Sequence, residues 1–393
     1  MLRCFWVGHP DSVVFDEVHF GYFTNSYITG ENHFDIHPPL AKLIFYCTSK
    51  AIGYDGSFNF SETDTKYNST FYISLRRTSA IASSFIAPLI TTSLMLQHIS
   101  TPSSVLAGFI STFDYITVTQ SRLILTDTFL YLFVTLTIFA SSLLYRKQKL
   151  SFIILQAFFA GCAISVKFTA GGVLAYIAAQ HFSFLYRQKG FFLKLLGRGV
   201  LIATIVLSVL FATIFIHFKL LTKPGYGDLY FDPKFKTYGF FRKALNLIYL
   251  MIKYNRSITS EHPAATRWYQ WPLSLYGALP LWNNGDKIGL NLYINPTATV
   301  FAFFGAITGI YNLELESIGY LCSYIPFIFI KRATFLYHYE IPVIFGILCS
   351  AKFIDDFNNE DRDLTVKVIS ITAACVFILF IPNIYGIYIP ITL

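Results

Sequence analysis

Ten apolar runs dominate this chain, at residues 78–97, 103–119, 123–145, 151–166, 168–186, 200–218, 297–311, 317–331, 337–354 and 366–390. A helical membrane span needs roughly 17 to 25 such residues, and a bilayer interior tolerates only segments that satisfy their own backbone hydrogen bonds. The pattern therefore predicts an all-α integral membrane protein. Composition agrees: 54% of residues are hydrophobic and only 13% charged, against about 25% charged in soluble domains. Soluble, disordered, collagen-like and disulfide-scaffold classes are excluded together.

Two stretches interrupt the pattern, residues 1–75 and 219–296, both rich in Asp, His, Trp, Asn and Pro. Six spans separate them, an even number, so both are expected on one face. The connections at 146–149 and 187–198 then share the opposite face and carry Arg146, Lys147, Lys149, Arg187, Lys189, Lys194 and Arg198. Clustered Lys and Arg mark cytoplasmic loops, so the two polar regions are read as lumenal. This sorting also accounts for the net charge of +8, which otherwise invites a nucleic-acid partner; none is expected. The sequons at Asn59, Asn68 and Asn255 all fall in the polar regions, as N-glycosylation acceptors would. The six cysteines show no CxxC spacing and no HExxH pattern occurs; cysteine packing in apolar surroundings is the default, and no metal is proposed.

Charged side chains near membrane depth need a partner or a task. Asp16 and Glu17, adjacent in VVFDEVHFG, point about 100° apart if helical, so one can serve as a base while the other caps, orients or pairs with a cation; a solvated acidic helix start explains them equally well. His37 in FDIHPPLAK is held out of helical geometry by the following proline, with a new helix starting at Leu40, and reads either as an elbow or as a site residue. Arg76 either snorkels at the membrane edge or faces inward to a phosphate. Arg122 and Asp127 suit a buried structural pair. Lys167 interrupts an almost uncharged stretch and calls for an anion. His262, Arg267 and Trp271 form either an interfacial aromatic belt or part of a site, and His338 begins a late span within YHY.

Taken in order, the segments HPDSVVFDEVHFG, FDIHPPLAK, GYDGSF, Arg76 with Ser79–Ala80, QSRLILTDTF, SVKFTA, LTKPGYGD, SEHPAATRWYQWPL and FLYHYEIP resemble the protein O-mannosyltransferase family, polytopic enzymes of the lipid-phosphate-dependent GT-C type. The resemblance implies inverting transfer of mannose from dolichyl phosphate mannose to Ser or Thr hydroxyls of polypeptides, at the lumenal face of the endoplasmic reticulum membrane, or at the plasma membrane in a bacterial source. It casts Asp16 as catalytic base with Glu17 supporting it. Arg76, Lys167 and Arg3 become donor-phosphate contacts, and His37, Arg122, Asp127, His262, Arg267, Trp271 and His338 become cavity support.

No cofactor beyond the lipid donor is implied. Membrane lipids and a second mannosyltransferase subunit, as a dimer, are the implied partners. The family has a span before the DE loop, eleven in all, whereas fifteen residues precede Asp16 here; a misplaced start or a lost helix is the expectation, with the chain forming a single transmembrane catalytic domain over 1–393. The 31 residues from 229 to 259 are too few for the MIR domain that eukaryotic members insert in this second region. Another polyprenyl-phosphate-sugar glycosyltransferase, a non-catalytic partner subunit and a transporter are the competing readings.

Overall fold

The computed structural model describes residues 2–258, 262–275, 277–284 and 287–387. Two short helices, α1 (Glu17–Thr29) and α2 (Leu40–Ala51), belong to the first polar region. Gly30 ends α1 in the left-handed conformation at φ +82°, where a Cβ would be strained. The first apolar run is divided at Phe85 into α3 (Phe71–Ser84) and α4 (Ile86–Leu96). The second is likewise divided into α5 (Thr101–Thr112) and α6 (Tyr115–Gln120), because the Asp114 carboxylate caps a new helix by accepting from Thr117 N–H at 2.7 Å. Helices α7 (Asp127–Arg146), α8 (Leu150–Val166), α9 (Gly171–Leu185) and α10 (Phe191–Leu220) follow the next four runs.

The second polar region is less bare than its composition suggests. It folds as an amphipathic helix α11 (Phe240–Ser257), short 3₁₀ turns, and an antiparallel hairpin of β1 (Leu279–Asn284) and β2 (Lys287–Leu292). The chain finishes with α12 (Pro296–Tyr311), α13 (Leu315–Tyr324), α14 (Glu340–Asp355) and α15 (Asn359–Tyr385). By length and composition, five helical segments can cross a membrane: Phe71–Leu96, Asp127–Arg146, Phe168–Leu185, Phe191–Leu220 and Asn359–Tyr385. Three further apolar helices are shorter.

Outward-facing apolar side chains agree with a lipid environment. Leu193, Leu196 and Val200 on α10 and Leu364, Ile371, Ile378 and Leu379 on α15 are exposed, a distribution that would form an aggregating patch in water. Several hydroxyls inside the helices are satisfied locally: on α7, Thr135, Thr137 and Ser141 each donate to the carbonyl four residues earlier at 2.8–2.9 Å. Close helix contact uses small residues, with Gly346 of α14 lying against the Ala302 backbone of α12 so tightly that a Cβ would collide.

The two polar regions meet on one face, as parity predicts. Lys223 N–H donates to the Gly30 carbonyl at 2.8 Å and its own carbonyl accepts from Asn32 N–H at 3.0 Å. Gly225 and Gly227 lie directly on the Asn32 and His33 backbone, so this part of LTKPGYGD is a docking strip and has no room for side chains. Asn32 Nδ2 also donates to Asp228 Oδ1 at 2.9 Å. The first region is thereby anchored over the end of α10.

Candidate functional site

Between these regions and the helices beneath lies a cavity of about 690 Å³. Its polar lining includes Asp16, His37, Asp127, Lys167, Asn255, Arg256, Lys331, Arg332, Tyr337 and His338, set among apolar walls that include Phe20, Met251 and Phe329. Asp16 sits at the start of α1, directly after Phe15, whose φ of +49° is a costly left-handed setting for an aromatic residue. Among the described residues the Asp16 carboxylate makes no hydrogen bond or ion pair. Burial raises its pKa above the usual aspartate range; His19 and Lys167 pull it back, while Asp127 and Asp35 push the other way.

Its neighbour is used quite differently. Glu17 is fully buried and accepts five hydrogen bonds: from Arg76 Nε and Nη2 at 2.7 Å each, Val14 N–H and Ile124 N–H at 2.9 Å, and Tyr67 O–H at 3.0 Å. The adjacent acids thus diverge, one into the cavity and one into the core.

Arg76 corrects an expectation. It does not line the cavity, and all five of its N–H groups are taken, two by Glu17 and three by the carbonyls of Val7, Pro10 and Ser12. A guanidinium with no free donor cannot bind a donor phosphate; it clamps the loop that carries Asp16. Arg3 departs in the same way, being buried and donating to Ser83 Oγ at 2.6 Å, Ser111 O at 2.8 Å, Thr117 Oγ1 at 3.1 Å and Thr112 O at 3.5 Å.

The Arg122–Asp127 pair does not form. Arg122 donates to the carbonyls of Phe5, Trp6, His9 and Ile384 and packs its guanidinium 4.2 Å from the Tyr385 ring centroid, tying the start of the chain to the end of α15. Asp127 instead begins α7 and accepts from Lys167 Nζ on both oxygens at 2.8 Å. The anion Lys167 requires is therefore within the chain, and one of its three N–H donors remains for a ligand.

His37 lines the cavity, and Lys42 Nζ, which also pairs with Asp35, donates to its carbonyl at 2.8 Å. Burial and the charges of Lys167, Lys42 and Arg332 lower the His37 pKa far below the ordinary imidazole range. Burial, with Arg332 and Lys167, brings His338 down to about 3. His338 Nδ1 lies 3.1 Å from the Phe335 N–H and 2.9 Å from the Phe335 carbonyl, so it accepts from the one or donates to the other according to its tautomer. Both rings are neutral hydrogen-bonding groups.

Trp271 is fully buried, donates from Nε1 to Thr266 Oγ1 at 2.8 Å and packs against His338, supporting the wall without lining it. His262 and Arg267 are exposed and outside the cavity, and Ser260 and Glu261 of the same motif lie outside the described residues. Asn59 and Asn68 are exposed, but Asn255 is half-buried on the cavity wall, in the last turn of α11, which makes it a poor glycan acceptor. Among the described residues no group of three metal-binding side chains stands together.

Sequence reading missed Arg256, Lys331 and Arg332. None of them has an ion-pair partner among the described residues, and all three line the cavity. The KR pair next to YHY was the available signal; its placement over Asp16 was not visible in spacing.

Residues 1–222 match the family model described as dolichyl-phosphate-mannose-protein mannosyltransferase, and 307–393 match the C-terminal four-transmembrane region of protein-O-mannosyltransferase. Dolichyl-phosphate-mannose–protein mannosyltransferase 4 of Candida albicans is 34% identical over 254 residues, which is 58% of this chain and 33% of that protein. Its Schizosaccharomyces pombe counterpart is 28% identical over 59% of this chain and 32% of its own length. The chain thus spans about a third of the length of these curated relatives. The S. cerevisiae protein O-mannosyltransferase Pmt1–Pmt2 complex bound to the sugar donor superposes with a TM-score of 0.91 at 15% identity, over 98% of this chain and 88% of that one. The fold is the GT-C fold, and by the match of its first 222 residues the chain belongs to the dolichyl-phosphate-mannose-protein mannosyltransferase family.

Proposed function

We propose that this chain transfers mannose from dolichyl phosphate mannose to Ser or Thr hydroxyls of polypeptides, with the whole chain acting as one catalytic unit. The observation that carries this reading is the pairing, across one cavity, of the Asp16 carboxylate with the bases Arg256, Lys331 and Arg332, none of which has an ion-pair partner among the described residues.

Glycosyl transfer from a lipid phosphate needs two charges of opposite sign. As the acceptor oxygen attacks the anomeric carbon, its proton must go to a base, and Asp16 is free to take it. As the bond from that carbon to the phosphate oxygen breaks, the leaving phosphate gains negative charge, which fixed cations stabilise. Arg332 and Lys331 supply this, with the remaining N–H of Lys167, held in place by Asp127. Attack opposite the leaving group inverts the anomeric centre. The apolar lining around Met251 and Phe329 suits the lipid end of the donor.

The same reading puts the cavity at the lumenal face of the endoplasmic reticulum membrane, with a second mannosyltransferase subunit as the partner; the Pmt1–Pmt2 complex is the precedent. Asp16→Asn tests it in membranes given dolichyl phosphate mannose and a Ser/Thr peptide. General-base loss predicts a fall of about 10²–10⁴-fold in transfer with the protein still inserted. Wild-type transfer by that variant rejects the assignment, and an inactive wild type favours a non-catalytic subunit. Faster transfer from another polyprenyl-phosphate sugar identifies a different donor.

A further inference from the structure

A chain of buried polar side chains among α7, α8, α9 and α10 takes no part in the cavity. Gln156 is fully buried and Gln180 and His181 nearly so. Gln156 Nε2 donates to Ser141 Oγ at 2.6 Å and Gln180 Oε1 at 2.7 Å, and Gln180 Nε2 donates to the Ser141 carbonyl at 3.0 Å. His181 Nε2 donates to Gln156 Oε1 at 3.0 Å, since that oxygen can only accept. Nδ1 of the same ring is then an acceptor, and Arg198 Nη1 donates to it at 3.3 Å while Nη2 donates to Gln148 Oε1 at 3.2 Å. Polar groups at such depth are costly and tend to serve a task. What this chain holds in place is one guanidinium at the basic face, with three of its five N–H donors unused among the described residues.

Beside that guanidinium runs a groove of about 690 Å³ between α9 and α10. Leu174, Ile177, Ala203, Val206 and Leu207 line it, and His181 is its one polar side chain. Its walls are open to the surroundings: Phe182 is 48% and Leu207 50% exposed. Charge at the groove's end has a single sign. Arg187, Lys189 and Lys194 lie in the same connection, and no carboxylate occurs in the sequence between Asp127 and Asp228.

We propose that this groove binds an anionic glycerophospholipid from the leaflet at the basic face. One acyl chain lies between α9 and α10, and the phosphate accepts from the free N–H groups of Arg198, a charge-assisted contact. The clustered lysines repel the ammonium of a zwitterionic headgroup. The sugar donor is a poor candidate for the same place: α9 rises about 1.5 Å per residue, which puts His181 about 20 Å from Lys167 at the cavity.

Native mass spectrometry of the detergent-purified protein tests this, with phosphatidylglycerol and phosphatidylcholine as probes. One phosphatidylglycerol adduct should survive activation where phosphatidylcholine does not. Arg198→Gln should weaken that adduct about tenfold. Ala203→Trp, at an exposed wall position, should abolish it while leaving the monodisperse elution unchanged. Equal retention of the two lipids overturns the proposal, as does full retention by either variant. Displacement of the phosphatidylglycerol by dolichyl phosphate also overturns it, because the groove would then belong to the donor's tail.

Discussion

The assignment of Arg76 to structure and not to donor binding makes a quantitative prediction. In Arg76→Ala, Glu17 remains at 0% side-chain exposure with its two shortest hydrogen bonds, both from Arg76, gone, and three carbonyls lose donors. Removing one partner of a buried ion pair costs about 3–5 kcal/mol, because the other charge is left uncompensated. Each 1.4 kcal/mol is a factor of ten, so the ratio of folded to unfolded protein falls by roughly 10² to a few times 10³, and the loss is a large share of a total stability of about 5–15 kcal/mol.

Glu17→Gln should cost a similar amount, whereas the double variant should cost less than the two added together, with a coupling of about 1–3 kcal/mol. The assay is thermal or denaturant unfolding in detergent, read by loss of monodisperse protein, alongside transfer kinetics. The clamp model predicts that the single variants lose stability and that whatever protein survives loses kcat, since the Asp16 loop is no longer held. An Arg76→Ala protein with wild-type stability and a raised donor KM alone would refute the reasoning and return Arg76 to the phosphate.

Two further outcomes follow from the cavity. Arg332→Gln, which alters a base with no ion-pair partner among the described residues, should raise the KM for the lipid donor about tenfold by removing a charge-assisted hydrogen bond, with unfolding unchanged; an unaltered donor KM counts against its role. Transfer requires the ionised form of Asp16, whose pKa is raised by burial, so activity should be lost on acidification at a higher pH than an ordinary aspartate dictates. Because the Lys167 charge lowers that pKa, Lys167→Met should move the acid limb of kcat/KM further up, and a downward or absent movement would contradict this electrostatic picture.

Much of the site's outline is legible in sequence. The DE pair predicts divergence because consecutive helical residues point apart, and Asp16 and Glu17 do so. Lys167 stands out because a lone charge in an apolar hairpin needs an anion; Asp127 is that anion. The arginines are where sequence reasoning failed. Arg3, Arg76 and Arg122 look like phosphate ligands or a buried pair because a guanidinium near membrane depth needs acceptors, but nothing in spacing says whether those acceptors are a ligand or backbone carbonyls. The folded N-terminal loop supplies the carbonyls of Val7, Pro10 and Ser12 to Arg76, and those of Phe5, Trp6 and His9 to Arg122.

By itself, then, the sequence determined the membrane class, the apolar helical segments and the sharing of one face by the two polar regions, but not α11 or the β1–β2 hairpin within the second of them. Hydrophobic length, parity and charge bias are local or additive properties and can be read along a chain. Which bases face the cavity was decided only by tertiary structure. Arg256 comes from the end of α11 and Lys331 and Arg332 from the connection before α14, and all three meet Asp16 across the cavity. That convergence depends on how α11 packs on α10 and how α13 packs on α9 and α14, and no periodicity encodes it.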